Sequence, residues 1–195
     1  MSVKADVEYD LRERVIQFST QFRVVLMMIA VVALAGFIHN LRAFWYGAPL
    51  VIIGELIQMW ASSQVHKNLH LTVSGPYSHV RNPMYIGRFC IGLGIMIMTA
   101  NVYLIVGFLI AFFGYGRLRV GREEARLRDL FGEQYEHYCT EIRRWLPRLK
   151  PYSRSESKNA TWEQICVNHE NINLIVVLLA LIGLYFRITK IPWHL

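Results

Sequence analysis

Five blocks of this chain, residues 24–38, 48–61, 84–98, 102–116 and 172–186, are apolar almost all round rather than along one stripe. A helix without a polar face has nothing to offer water, so such blocks pack in lipid or inside a bundle. Each is about 15 residues long, short of the ~17 to 25 that a bilayer core requires, so the spans extend into polar flanks or the bilayer thins around them. The expected fold is all-α: an integral membrane helical bundle with about five transmembrane helices, forming a single domain over residues 1–195. Ahead of the first block, Val7, Leu11, Val15, Phe18 and Phe22 recur at helical spacing among basic residues. They read either as a helix lying on the membrane surface or as a continuation of the first span.

The basic residues set the orientation, because loops rich in Lys and Arg stay in the cytoplasm. With five spans and the N-terminus inside, 18 of the 21 Lys and Arg lie on the cytoplasmic side and only Arg42, Arg187 and Lys190 face out. The net charge of +7 is therefore read as a polybasic membrane face that attracts anionic lipid headgroups, not as a nucleic-acid surface. The start of the chain lacks the pattern of a cleavable signal peptide. Cys90, Cys139 and Cys166 are odd in number and lack ligand spacing, which argues against a disulfide frame and against a metal site. Residues 151–159, polar and Ser-rich, read as a linker to the last span.

Two polar clusters flank the hairpin made by the third and fourth spans. The first runs Ser74-Gly75-Pro76-Tyr77-Ser78-His79-Val80-Arg81-Asn82-Pro83-Met84-Tyr85. Gly75 permits positive φ, while Pro76 and Pro83 restrict themselves and the residues before them, so the segment makes a shaped loop. Pro83 suits the first turn of a span, with Asn82 as its N-cap. The second cluster contains Gly121-Arg122-Glu123-Glu124, which read by itself is the acidic first turn of a helix, with Glu124 and Arg128 as an i,i+4 pair. Between the clusters, Thr99-Ala100-Asn101 permits only a tight turn. The two spans must then run antiparallel and bring the clusters together on one face, with the hairpin glycines allowing close helix approach. Within the second span, Glu55 and Gln58 share a helical face; an ionisable group at that depth must face the bundle or a wet cavity. They read either as the lining of a lipid-substrate entrance or as a structural hydrogen bond.

The order Gly-Pro-Tyr, three residues, Arg-Asn-Pro, one residue, Tyr, a helical hairpin, Glu-Glu, Phe131-Gly132, Tyr135, Tyr138 and Arg144-Trp145-Leu146-Pro147 resembles the membrane methyltransferases typified by isoprenylcysteine carboxyl methyltransferase, with phospholipid N-methyltransferases as relatives. The resemblance covers about residues 68–147. It implies a cytoplasmic segment binding S-adenosyl-L-methionine through His70, Leu71, Tyr77, Arg81, Asn82, Tyr85, Glu123 and Glu124. It also places Arg144, with Tyr135 and Tyr138, at the polar end of the substrate. Asn82 stands where the carboxyl methyltransferases have His, and a helix at about 172–186 follows the core.

What the resemblance implies is methyl transfer to a lipophilic acceptor, foremost carboxyl methylation of an isoprenylcysteine-like substrate, with Arg81, Asn82 and Arg144 as the catalytic set and Glu55, Gln58, Tyr135, Tyr138 and Arg144 toward the substrate. Membrane lipids and a lipophilic or lipidated substrate are the expected partners. A sulfonium methyl is already activated, so alignment and water exclusion suffice and no metal is required. A carboxylate acceptor arrives ionised, whereas an amine must first lose a proton. Phospholipid N-methylation, a nicotinamide-dependent sterol-type reductase and a non-catalytic membrane assembly module are the alternatives.

Overall fold

The computed structural model describes residues 35–65, 70–155, 160–168 and 170–190. The chain divides into two compact units, Met1–His39 and Asn40–Leu195. Most of the first unit, including the expected surface helix and most of the first span, lies outside the described residues. Of its described residues, 35–37 are helical.

Every regular element described in the second unit is helical: α1 Leu41–Ser62, a 3-10 turn Gly75–Ser78, α2 Pro83–Met98, α3 Val102–Glu141, α4 Trp162–Val167 and α5 Glu170–Lys190. Among the described residues there is no strand. Four of the expected spans thus exist as helices, and three of them outgrow their apolar blocks by more than one residue. α1 starts seven residues early because Asn40 caps it, its side-chain oxygen accepting from Arg42 N at 2.9 Å and Ala43 N at 3.1 Å. α3 and α5 have the length and composition to cross a membrane, whereas α2, at 16 residues, is shorter. Large apolar side chains of α3 and α5, among them Val106, Ile110, Phe113, Ile175, Leu179 and Ile182, are exposed to the surroundings rather than packed inward. Such a surface suits lipid and not water.

The tightest packing joins α1 to α2. Gly47 and Gly54 stand seven residues apart on α1, and Gly94 and Gly87 seven apart on α2, so the antiparallel helices meet at two glycine pairs. A Cβ added at Gly54 would lie 2.6 Å from the Gly87 carbonyl oxygen, and one at Gly94 would lie 2.7 Å from that of Gly47. Backbones this close gain dispersion contact that any side chain would block. Two of the hairpin glycines, Gly87 and Gly94, thus allow the expected close helix approach, and the helix they meet is α1. Only Gly92 meets α3, against the Phe108 ring, and Gly107, Gly114 and Gly116 have no heavy atom within reach of an added Cβ.

The tight turn after α2 is formed as expected, with Ala100 at φ 54° and Asn101 accepting from Tyr103 N at 2.9 Å and Leu104 N at 3.3 Å. α3 then runs without interruption past Glu123 and Glu124, so these carboxylates lie mid-helix instead of in a first turn. Its one break is at Gly132, φ 49°, ψ −126°, a conformation open to glycine but strained for other residues. Arg128 Nε reaches Glu136 Oε1 at 2.7 Å across this break. Eight residues of straight helix would span about 12 Å; the contact exists because the chain folds back. α5 returns antiparallel to α1: Asn168 beside its start donates to Ser62 O at 2.8 Å, and Tyr185 near its end packs on Phe44 and Trp45.

Substituting Gly54 or Gly87 with Val should overpack the α1–α2 contact and cost about 1 to 3 kcal/mol, whereas Ala at Gly107 or Gly114 should leave stability unchanged or raised. Thermal melts of the purified protein in detergent check both, and equal effects at the four positions would contradict this packing. Ala at Gly132 should cost about 1 to 3 kcal/mol for the strained φ.

Candidate functional site

The loop from Ser74 to Asn82 gains its shape from partners far along the chain. Gly75 takes φ 54°, as expected for the Gly-Pro-Tyr turn. The backbone then pairs with the segment beyond α3: Arg81 N donates to Arg143 O at 3.0 Å, Arg148 N to His79 O at 3.0 Å and Tyr152 N to Ser78 O at 2.8 Å. Beneath this ladder Leu71, Tyr135, Tyr138, Ile142 and Tyr152 form a buried cluster. The Tyr138 hydroxyl donates to the Tyr77 carbonyl at 2.6 Å. Tyr152 thus anchors the start of the stretch that reads as a linker.

At the centre, Glu124 is 2% exposed. Arg144 holds it with both prongs, Nε donating to Oε1 at 2.9 Å and Nη2 to Oε2, and Arg81 Nη1 stands 3.6 Å from Oε1. Two guanidiniums on a desolvated carboxylate form a charge-assisted clamp between the second cluster, the loop and the Arg-Trp-Leu-Pro segment. Arg81 Nη1 also donates to Cys139 Sγ at 2.8 Å. Burial opposes the charge on Arg81, but Glu124 and Cys139 outweigh it and hold the pKa above its ordinary value. Asn82 precedes Pro83 at the start of α2, yet its side chain does not cap the helix; it donates to Arg144 O at 3.4 Å. Nor does Glu124 pair with Arg128, which bonds Glu136 instead.

Beside the clamp lies a cavity of about 610 Å³ at the ends of α1, α2 and α5 and along α3. Of the residues expected to hold a methyl donor, His70, Leu71, Tyr77, Arg81, Asn82, Tyr85 and Glu123 all line it. Glu124 does not, because its side chain is turned into the clamp. Arg144 is likewise committed to Glu124, and Tyr135 and Tyr138 are buried in the core cluster. Glu55 and Gln58 are also buried, 2% and 8% exposed, on α1 and outside the cavity wall, with Gln58 against Gly87 of α2. The structure adds to the wall residues that were not expected at the site: Arg88, Arg119, Arg126, Asn168 and Glu170, together with Leu127, Leu130 and Phe131 of the apolar helix face. Arg88 lies over the Tyr85 ring, 5.3 Å from its centre. Among the described residues no group of three or more His, Cys, Asp or Glu could hold a metal ion.

Residues 42–134 match the family model described as phospholipid methyltransferase. Curated relatives carry the motif-bearing part as well. A protein-S-isoprenylcysteine O-methyltransferase of Xenopus laevis is 28% identical, the match covering 53% of this chain and 40% of that protein. One of Schizosaccharomyces pombe is 29% identical over 52% of this chain and 43% of its own length. A probable protein-S-isoprenylcysteine O-methyltransferase of Oryza sativa subsp. japonica is 28% identical over 57% and 66%. Residues 42–134 are thus similar to phospholipid methyltransferases, and the motif-bearing part to protein-S-isoprenylcysteine O-methyltransferases. The matches span about two fifths to two thirds of these relatives' lengths. No solved structure matches the chain.

Glu124→Gln should weaken the clamp by about 1.5 to 3 kcal/mol, as for hydrogen bonds to a charged partner, seen as a lower melting temperature. Burial also pushes the phenols of Tyr77, Tyr135 and Tyr138 above the usual tyrosine range. A group whose pKa is higher folded than unfolded stabilises the fold fully below the unfolded pKa, about 10 for tyrosine, and loses that contribution as pH rises through the folded value. Melting temperature should therefore fall above about pH 10, and less steeply in Tyr138→Phe; a Tyr138→Phe profile parallel to wild type would contradict the assignment.

Proposed function

We propose that this chain transfers a methyl group from S-adenosyl-L-methionine to a lipophilic acceptor at the cytoplasmic face of a membrane, the acceptor being the carboxylate of an isoprenylcysteine-like substrate. The observation that carries this reading is the convergence of the Gly-Pro-Tyr, Arg-Asn-Pro and Glu123 segments on one cavity at the helix ends. Its size falls within the range of small-molecule sites, roughly 300 to 1,000 Å³. The multi-pass topology with the N-terminus inside puts that cavity on the polybasic side, and the exposed apolar faces of α3 and α5 support it.

The donor set fits the group. Arg81 Nε is buried with no hydrogen-bond partner, so the cavity wall retains a cationic donor for an anionic oxygen. Glu123 is exposed on the same wall, a carboxylate suited to an ammonium or to sugar hydroxyls. When bound, S-adenosyl-L-methionine supplies a sulfonium methyl that needs no further activation. The chain's own residues have three tasks. The Glu124 clamp fixes Arg81 and so the loop that shapes the wall. Leu71, Leu127, Leu130 and Phe131 present apolar surface that excludes water and receives a greasy acceptor. Arg81, Arg88, Arg119 and Arg126 make the wall predominantly cationic, which suits an acceptor whose reacting end is anionic. In this reading Arg144, Tyr135 and Tyr138 are positioning residues, acting through Glu124 and the Tyr77 carbonyl.

The family model's description supports phospholipid N-methylation as a second reading. Incubation with methyl-labelled S-adenosyl-L-methionine and native lipid extract separates the two. The label should transfer to lipid and be released by mild base, as an ester is; a base-stable label would favour the amine, and absence of any transfer or donor binding would overturn methyl transfer. Glu123→Gln should weaken donor binding roughly 10-fold or more, the equivalent of one charge-assisted hydrogen bond, with the melting temperature unchanged.

A further inference from the structure

The donor carries an ammonium and sugar hydroxyls, and the adjacent Glu123 and Glu124 would have supplied a carboxylate to each. The structure diverts Glu124 into the clamp, leaving Glu123 as the one carboxylate that the second cluster offers the cavity. A second carboxylate nevertheless lines it. Glu170, the first residue of α5, reaches the wall from a helix beyond the residues matched by the family model.

Its surroundings set its role. Glu170 is 6% exposed, so its charge is poorly screened by solvent. Asn173 Nδ2 donates to Oε2 at 2.9 Å and fixes the carboxylate's orientation. The preceding segment is pinned to the end of α1, with Asn168 donating to Ser62 O at 2.8 Å and Gln164 to Val65 O at 2.8 Å. The carboxylate is therefore carried on a fixed support. Glu123, Glu170 and Tyr77 line the same cavity. Glu55 of α1 is also buried, and its Oε1 has no hydrogen-bond partner. A poorly solvated carboxylate is stabilised by a cation. The remaining charges of the wall are arginines, which would repel a positively charged ligand unless carboxylates offset them.

We propose that Glu170 completes the donor site by holding the ammonium of the donor's amino-acid end, so that the C-terminal helix is part of the binding machinery. This rests on the methyl-donor reading given above. No covalent step is involved; the contact is a charge-assisted hydrogen bond.

The test is binding to the full chain in nanodiscs, by calorimetry, of three probes: S-adenosyl-L-methionine, its demethylated thioether S-adenosylhomocysteine, and 5′-methylthioadenosine, which lacks the amino-acid end. Glu170→Gln should weaken the first two alike, by about 10-fold or more, and leave the third unchanged. Glu170→Asp should recover part of the loss. Unchanged affinity for all three in Glu170→Gln, or an equal loss for 5′-methylthioadenosine, would overturn the assignment. A melting temperature matching wild type separates lost contact from lost fold. If Glu170→Gln melts early, Asn173→Ala, which frees the carboxylate's orientation but keeps its charge, should show a smaller loss in the same two-probe pattern, and any other pattern would overturn the proposal. Wild-type protein that binds none of the probes would instead remove the methyl-donor reading itself.

Discussion

The bidentate hold of Arg144 on Glu124, with Arg81 behind it, is the constraint around which the polar part of this protein at the helix ends is organised. Three separate stretches of chain meet there: the middle of α3, the loop before α2 and the segment after α3. None has a reason of its own to adopt its observed path. A carboxylate 98% removed from solvent must be satisfied where it lies, and two guanidiniums do so only if both parent segments are brought in. The backbone ladder between residues 78–81 and 143–152 and the tyrosine cluster beneath it then follow as the way those segments pack.

A different kind of constraint governs the apolar helices. In lipid, apolar side chains gain little by leaving their surroundings, so helices associate where their backbones approach most closely. The glycine pairs on α1 and α2 allow that approach, and α5 joins through polar contacts at one end and aromatic contacts at the other. α3 is attached mainly through a Phe89, Phe108, Phe112 and Phe113 cluster and through its long polar extension. The cavity opens where this loosely held helix leaves the glycine-packed pair, next to the rigid clamp. A site with one firm wall and one lightly packed wall suits the proposed traffic of a soluble donor and a greasy acceptor.

Much of the site was legible in the chain itself. Pro83 and Gly75 placed a helix start and a positive-φ turn, the tight Thr99-Ala100-Asn101 turn required the hairpin, and seven of the eight expected donor-site residues came to one cavity. The eighth, Glu124, was misplaced because adjacent carboxylates on a helix point about 100° apart, so neighbours in sequence face different partners. The packing role of the glycines was legible as well, though which helix Gly87 and Gly94 meet was not read. Their spacing of seven was present on both α1 and α2, and that repeat was the signal that the two helices pack together.

Residue order by itself determined the helical class of this protein, the approximate positions of its apolar helices and the motif it shares with the methyltransferases it resembles, because those follow from local hydropathy, turn chemistry and short-range spacing. Tertiary structure alone decided which carboxylate is buried and which faces the cavity, that Arg128 turns to Glu136, and that Glu170 arrives from a helix nearly fifty residues beyond Glu123. Such choices depend on which distant segments can satisfy a desolvated charge or a buried backbone group, and that is settled only when the whole chain is packed.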